Sequence, residues 1–340
     1  MTPPAAVFCF KMNNKYNPAL FWFAVLNAVA TFLLIGLGGL VTSHEAGMSV
    51  PDWPTSLHRN MFLLPMSEWT GGIFYEHTHR LLASGVGLFT TVLAIWLWLK
   101  DSRKWMHWLG IAAFLGVIAQ GILGGLRVVW HMDYLGIPHA AVAQTFLVLT
   151  CAIALFTSRW WQSSETEKQI SVPRGLRSHV LYVTLLIFVQ LLIAATMRHQ
   201  HAGLAIPDFP TAYGKIWPVT SPEDIARYNA NRFEINGENA ITAFQVELQM
   251  VHRLVAYLIF LGVIAAAFLA KKKLGGGDGL AKFAWFWLGL LTVQIGLGAW
   301  TIWSNKGAGV TTLHVMVGAS ALLAGSLWWL VAARRTQLAA

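Results

Sequence analysis

Glu76-His77-Thr78-His79-Arg80 opens an apolar run that reaches Leu99, and a weakened copy, Gln249-Met250-Val251-His252-Arg253, opens another further along the chain. One histidine-bearing helix has been used twice. Both runs are long enough to cross hydrocarbon of about 30 Å as helices, so the pattern predicts a membrane protein built around paired polar helix ends.

The composition agrees. Of 340 residues 56% are hydrophobic and only 11% charged, with 17 Trp and 19 Phe, too apolar to cover a water-soluble surface. Eight segments reach spanning length: about 20–42, 77–99, 105–127, 138–157, 179–198, 244–270, 281–303 and 311–333. An open backbone would leave unsatisfied polar groups in lipid, which predicts helices. The first segment follows Lys11 and Lys15 but exceeds the apolar core of a cleavable signal, so it is expected to be retained.

With a cytoplasmic N-terminus, the inner connections hold fifteen Lys and Arg and the outer ones seven. The positive-inside rule therefore predicts both termini in the cytoplasm. The net charge of +9 is spread over these short loops and calls for no nucleic-acid partner. The two cysteines, Cys9 and Cys151, form no CxxC or CxxCH, which argues against an iron–sulfur, zinc or haem c site.

The repeat extends beyond the opening motifs. The loop Gly47-Met48-Ser49-Val50-Pro51-Asp52-Trp53-Pro54-Thr55 returns 156 residues later as Gly203-Leu204-Ala205-Ile206-Pro207-Asp208-Phe209-Pro210-Thr211, with five identities in nine positions. Gln120 is matched by Gln294 and His139 by His314. The expected architecture is an all-α integral membrane protein, eight helices in two pseudo-symmetric four-helix bundles. The N-terminal half would be 1–162, the linker 163–178 and the C-terminal half 179–340. The Pro-Asp-aromatic-Pro loops read first as rigid turns, and 199–243 reads as an outer cap.

Four of the twelve histidines, His79, His139, His252 and His314, lie near the outer ends of the even-numbered segments. Ionisable groups at that depth are expected to face the bundle interior. Two imidazoles from two helices of one bundle suit the opposite faces of haem iron, whereas zinc or copper would want three or four ligands at one point. His77 lies about 200° around the helix from His79 and is expected at an interface. His44, His58, His107, His131, His179, His199 and His201 receive the same assignment.

Arg80 and Arg253 follow two of these histidines and are candidates to pair with haem propionates; Arg127 and Arg198 are weaker candidates. Glu76 breaks the repeat. It precedes His79 by three residues and so shares its helix face, while the copy carries Gln249, which cannot ionise. A proton acceptor or nucleophile is thus available to the first half alone.

At these residues the chain resembles the haem A synthase family, across nearly its whole length. The shared features are eight helices, a duplicated four-helix unit, Glu-x-x-His-Arg at Glu76 to Arg80, and His139, His252 and His314. The resemblance implies oxidation of the C8 methyl of haem O to a formyl group, with O2 as oxidant, in two successive oxidations followed by loss of water. It implies substrate haem between His79 and His139, a haem b cofactor between His252 and His314, and Glu76 as the functional glutamate, acting as base or nucleophile. Haem O synthase and oxidase assembly factors enter as implied partners, and a bacterial inner membrane as the location, with the haem sites toward the outer face. The electron donor and any homo-oligomer stay open. The cysteine pair that some members carry in the first outer loop is missing between Thr42 and Tyr75, which excludes a thiol–disulfide role there. The rival readings are a bis-histidine dihaem cytochrome b taking electrons from quinol, which leaves the Glu76/Gln249 difference unexplained, and a transporter.

Overall fold

The computed structural model describes residues 16–163, 171–231 and 240–338. Among them the fold is helical: α1 Pro18–Ser43, α2 Gly71–Lys100, α3 Lys104–Val129, α4 Gly136–Thr157, the short α5 Arg159–Gln162, α6 Arg174–His199, the short α7 Pro222–Ala230, α8 Ala243–Leu274, α9 Gly279–Trp303 and α10 Ala308–Leu338. Eight of these are long and apolar enough to cross a membrane. Cys9, Arg232, Glu234 and Glu238 lie outside the described residues.

Local chemistry sets the ends. Asn17 accepts the Leu20 amide at 3.1 Å ahead of Pro18, a position where proline sacrifices no bond. Thr242 and Gln245 form a reciprocal capping box on α8, and Gly275, at φ 86°, stops that helix. Hydropathy underestimates three elements. Helix α2 begins at Gly71, six residues before the apolar run, and Glu76 in that added stretch is buried. Helix α6 begins at Arg174, inside the expected 163–178 linker, and α8 carries its lysines through Leu274 in a last turn where cations suit the helix dipole.

Helix α1 packs on α2 and α4, and α3 on α2 and α4; likewise α6 packs on α8 and α10, and α9 on α8 and α10. Helices α1, α4, α6 and α10 also meet one another along the middle. Without a hydrophobic force between helices in lipid, association depends on close packing and interhelical hydrogen bonds. The C-terminal core follows that rule: Ala266, Ala267, Ala270, Ala281 and Ala284 surround Trp287 and Trp328. Their indole N–H groups donate to Ala321 and Leu280 carbonyls, both at 2.9 Å. On the other side, buried Asn27 of α1 and Thr90 of α2 bond at 3.2 Å.

The 156-residue spacing persists in three dimensions. Helices α1 and α6 end at Ser43 and His199, and left-handed residues fall at Glu45 and His201, Leu57 and Tyr213, His58 and Gly214. Isolated antiparallel bridges join Ser56 to Arg59 and Ala212 to Lys215. One close approach is special to the first loop. A Cβ on Gly125 of α3 would stand 2.4–2.7 Å from the Trp53 ring. Gly125→Ala is therefore expected to destabilise the protein by about 1–3 kcal/mol through overpacking. Adding Trp53→Phe, the residue at the corresponding position 209, should recover most of that loss in a thermal-unfolding series in detergent.

Candidate active site

The outer loops are built around two aspartates. Asp52 accepts the Leu57 and His58 amides at 2.7 and 2.8 Å and the Thr55 hydroxyl. Asp208 accepts the Tyr213 and Gly214 amides at 2.7 and 3.0 Å and the Thr211 hydroxyl at 2.6 Å. Burial alone would raise both carboxyl pKa values, but these donors outweigh it and hold each below the ordinary 3.8. The sign follows: a depressed folded pKa stabilises above the unfolded value, and that contribution is lost as pH falls through the folded one. Thermal unfolding in detergent should thus be flat from about pH 7 to 5 and drop below about 4, and Asp52→Asn with Asp208→Asn should shrink that drop.

Each loop is tied to a helix by an arginine. Arg80 donates through Nη1 to the Asp52 and Thr55 carbonyls (2.6 and 3.0 Å), and through Nη2 to the Val50 carbonyl and Glu76 Oε1 (2.8 and 2.7 Å). Arg253 donates to the Thr211 and Asp208 carbonyls, both at 2.8 Å. Both guanidinium groups, expected to reach propionates, are instead spent largely on loop backbone.

Glu76 and Gln249 occupy the same niche. Glu76 is buried in the body of α2 rather than at its N-terminus, and its Oε2 accepts the Val50 amide at 2.9 Å. Gln249 accepts the Ile206 amide at 2.7 Å. Position 50 corresponds to 206, so the carboxamide does the same loop-pinning work as the carboxylate. The charge of Glu76 is the part with no counterpart.

His79 on α2 and His139 on α4 lie within electrostatic reach of each other, as do His252 on α8 and His314 on α10. The Gln120 amide donates to the His139 carbonyl at 2.9 Å. Glycines cradle the rings: a Cβ on Gly38 would lie 3.3 Å from His79, on Gly124 3.3 Å from His139, and on Gly298 3.2 Å from His314. Nδ1 of His139 and of His314 is buried without a hydrogen-bond partner. Among the described residues no three His, Cys, Asp or Glu side chains converge as a metal site. Two imidazoles per pair, small residues beside them and no third ligand fit a haem rather than a bare ion.

His77 is not interfacial. It is fully buried beneath the first outer loop, with Nδ1 3.2 Å from the Ser56 hydroxyl and its ring edge-on to Trp69 at 4.7 Å. The early start of α2 puts it under that loop. His199 bonds Asp133 at 3.0 Å, and Asp133 also pairs with Arg127 at 2.5 Å. Arg198 donates to the Gly39 carbonyl and the Ser43 hydroxyl at 2.9 and 2.7 Å. Arg127 lies within electrostatic reach of His79 and His139, and Arg198 of His314. These two cations, ranked second by sequence, are closer to the histidine pairs' surroundings than spacing alone could indicate.

Residues 58–326, most of the chain and all four of these histidines, match the model of the COX15-CtaA family, described as cytochrome oxidase assembly protein. The chain belongs to this family. Relatives named heme A synthase agree with that placement. The one from Lysinibacillus sphaericus is 25% identical over 262 residues, covering 76% of this chain and 77% of its own. That from Geobacillus kaustophilus is 27% identical over 266 residues, 75% and 73% of the two chains. That from Bacillus cereus (strain 03BB102) is 26% identical over 305 residues, 86% of each. Membership makes this an integral membrane protein with a role in cytochrome oxidase assembly.

Proposed function

We propose that this chain is a haem A synthase, an oxidoreductase that converts the C8 methyl of haem O to a formyl group. The observation that carries the reading is the pair of matched histidine sets, of which only the first has an ionisable carboxylate, Glu76, three residues before its leading histidine where the second has Gln249. Family membership and the names of the relatives support it. The dihaem cytochrome b reading gains nothing from either.

In this reading His79 and His139 are the residues that would hold haem O through its iron. His252 and His314 hold haem b. Bound there, a haem would supply one-electron relay, with O2 as terminal oxidant. Each of the two oxidations would remove two electrons and two protons at the methyl carbon and add the hydroxyl of one water, first to the alcohol and then to the hydrate; the four electrons would pass to O2, and the hydrate would lose water to give the aldehyde. Glu76 would take one of the two protons released in each oxidation. A carboxylate has about four lone-pair sites, so it can accept a proton while keeping its bonds to Val50 and Arg80. Attack on carbon would pull it away from them, which favours base over nucleophile. Arg80 orients Glu76, and the Asp52 loop closes the outer end against water.

The 1–162 and 179–340 halves thus divide the work, substrate in the first and relay in the second. Inner termini place both haems toward the outer face of a bacterial inner membrane. The test is acid–acetone extraction and chromatography of haem from membranes holding this protein and a haem O source. Haem A or its hydroxylated precursor is the expected product. Only haem b and unchanged haem O, with donor and O2 supplied, would overturn the assignment.

A further inference from the structure

Helices α1 and α6 share one register, 156 residues apart, which sets Gln190 of α6 opposite Leu34 of α1. The difference falls on the histidines. Gln190 is buried, and its Nε2 lies 3.1 Å from Nδ1 of His252 and 2.8 Å from the His252 carbonyl. Its Oε1 is buried with no partner. Leu34 offers no hydrogen bond to His79, whose ring has none among the described residues and lies against Gly38.

We infer that Gln190 is a positioning residue for His252 that makes the second haem site retentive, and that Leu34 at the corresponding place leaves the first site exchangeable. The inference rests on the reading of His252 as an iron ligand. An imidazole that ligates through Nε2 keeps its proton on Nδ1, and that proton needs an acceptor. A half-turn of the Gln190 carboxamide brings the unpartnered Oε1 to Nδ1, giving up the bond to the carbonyl. With the ring unligated, the NH2 group meets the Nδ1 lone pair instead. One side chain therefore restrains the ring in both states. His79 has no such restraint and can swing as haem enters and leaves, which a substrate requires and a cofactor does not.

The test uses full-length protein purified from cells without a haem O source, so that haem b is the only haem present. Gln190→Leu is expected to speed haem b loss about tenfold, to raise the midpoint potential, and to move the low-spin EPR signal. Gln190→Glu keeps an acceptor and strengthens it, so retention should return and the potential should move the opposite way. Opposite shifts from two substitutions at one buried position are not produced by loss of packing. Wild-type potential, spectrum and retention in Gln190→Leu would overturn the inference while leaving the histidine assignment standing. Wild-type protein that carries no haem would overturn both.

Discussion

Glu76→Gln should leave the protein folded and loaded with haem b while haem A production falls by about 10²-fold or more. The protein contains its own control for this substitution. At the matching place in the second half Gln249 accepts the Ile206 amide at 2.7 Å and returns a weaker bond to the Ile206 carbonyl at 3.4 Å, so a carboxamide holds this kind of loop. Arg253 remains bound to its loop carbonyls beside that neutral partner. Arg80 keeps three carbonyl bonds when its partner loses charge. The variant therefore removes proton-accepting power from the first half and little of its architecture. Bound haem b read by difference spectroscopy, alongside extracted haem, separates the outcomes. Unchanged haem A yield would remove Glu76 from the chemistry, whereas loss of haem b and of protein together would make it structural.

The spans were legible, and the four histidines could be singled out, because each leaves a one-dimensional mark. A spanning helix is a long apolar run, and the matched motifs recur at offsets that grow from 156 for the loops to 175 for His139 and His314. What escaped was whatever depends on the third dimension. Helix α2 starts at Gly71, ahead of the apolar run, and hydropathy does not register that the outer loop buries Glu76 and His77 there. His77 was assigned outward from helix angle alone, yet the same loop buries it against Ser56 and Trp69. The loop bonds of Arg80 and Arg253 went unread because the acceptors they use are backbone carbonyls, which every residue carries and no sequence distinguishes. Gln190 sits mid-helix in an apolar run, where polarity was the only signal; its relation to His252 emerges only when α6 packs on α8.

Replacing single histidines should separate the two halves. His252→Ala is expected to lose nearly all haem b from protein purified without a haem O source, and His79→Ala to keep it, while both lose haem A production. The fold should survive either change. Among the described residues His79 makes no ring hydrogen bond, and the His252 ring bonds only to Gln190; the loops hang instead on Arg80, Arg253, Glu76 and Gln249. The loss of haem should be steep because each pair would supply two nitrogens and, among the described residues, no three His, Cys, Asp or Glu side chains converge there. One remaining imidazole leaves the iron held on one face. With haem O supplied, His79→Ala should still show the haem b spectrum but accumulate unconverted haem O, the pattern of an intact relay without a held substrate. The reverse pattern, haem b lost from His79→Ala and retained in His252→Ala, would exchange the roles of the halves. It would also put Glu76 beside the cofactor instead of the methyl group being oxidised.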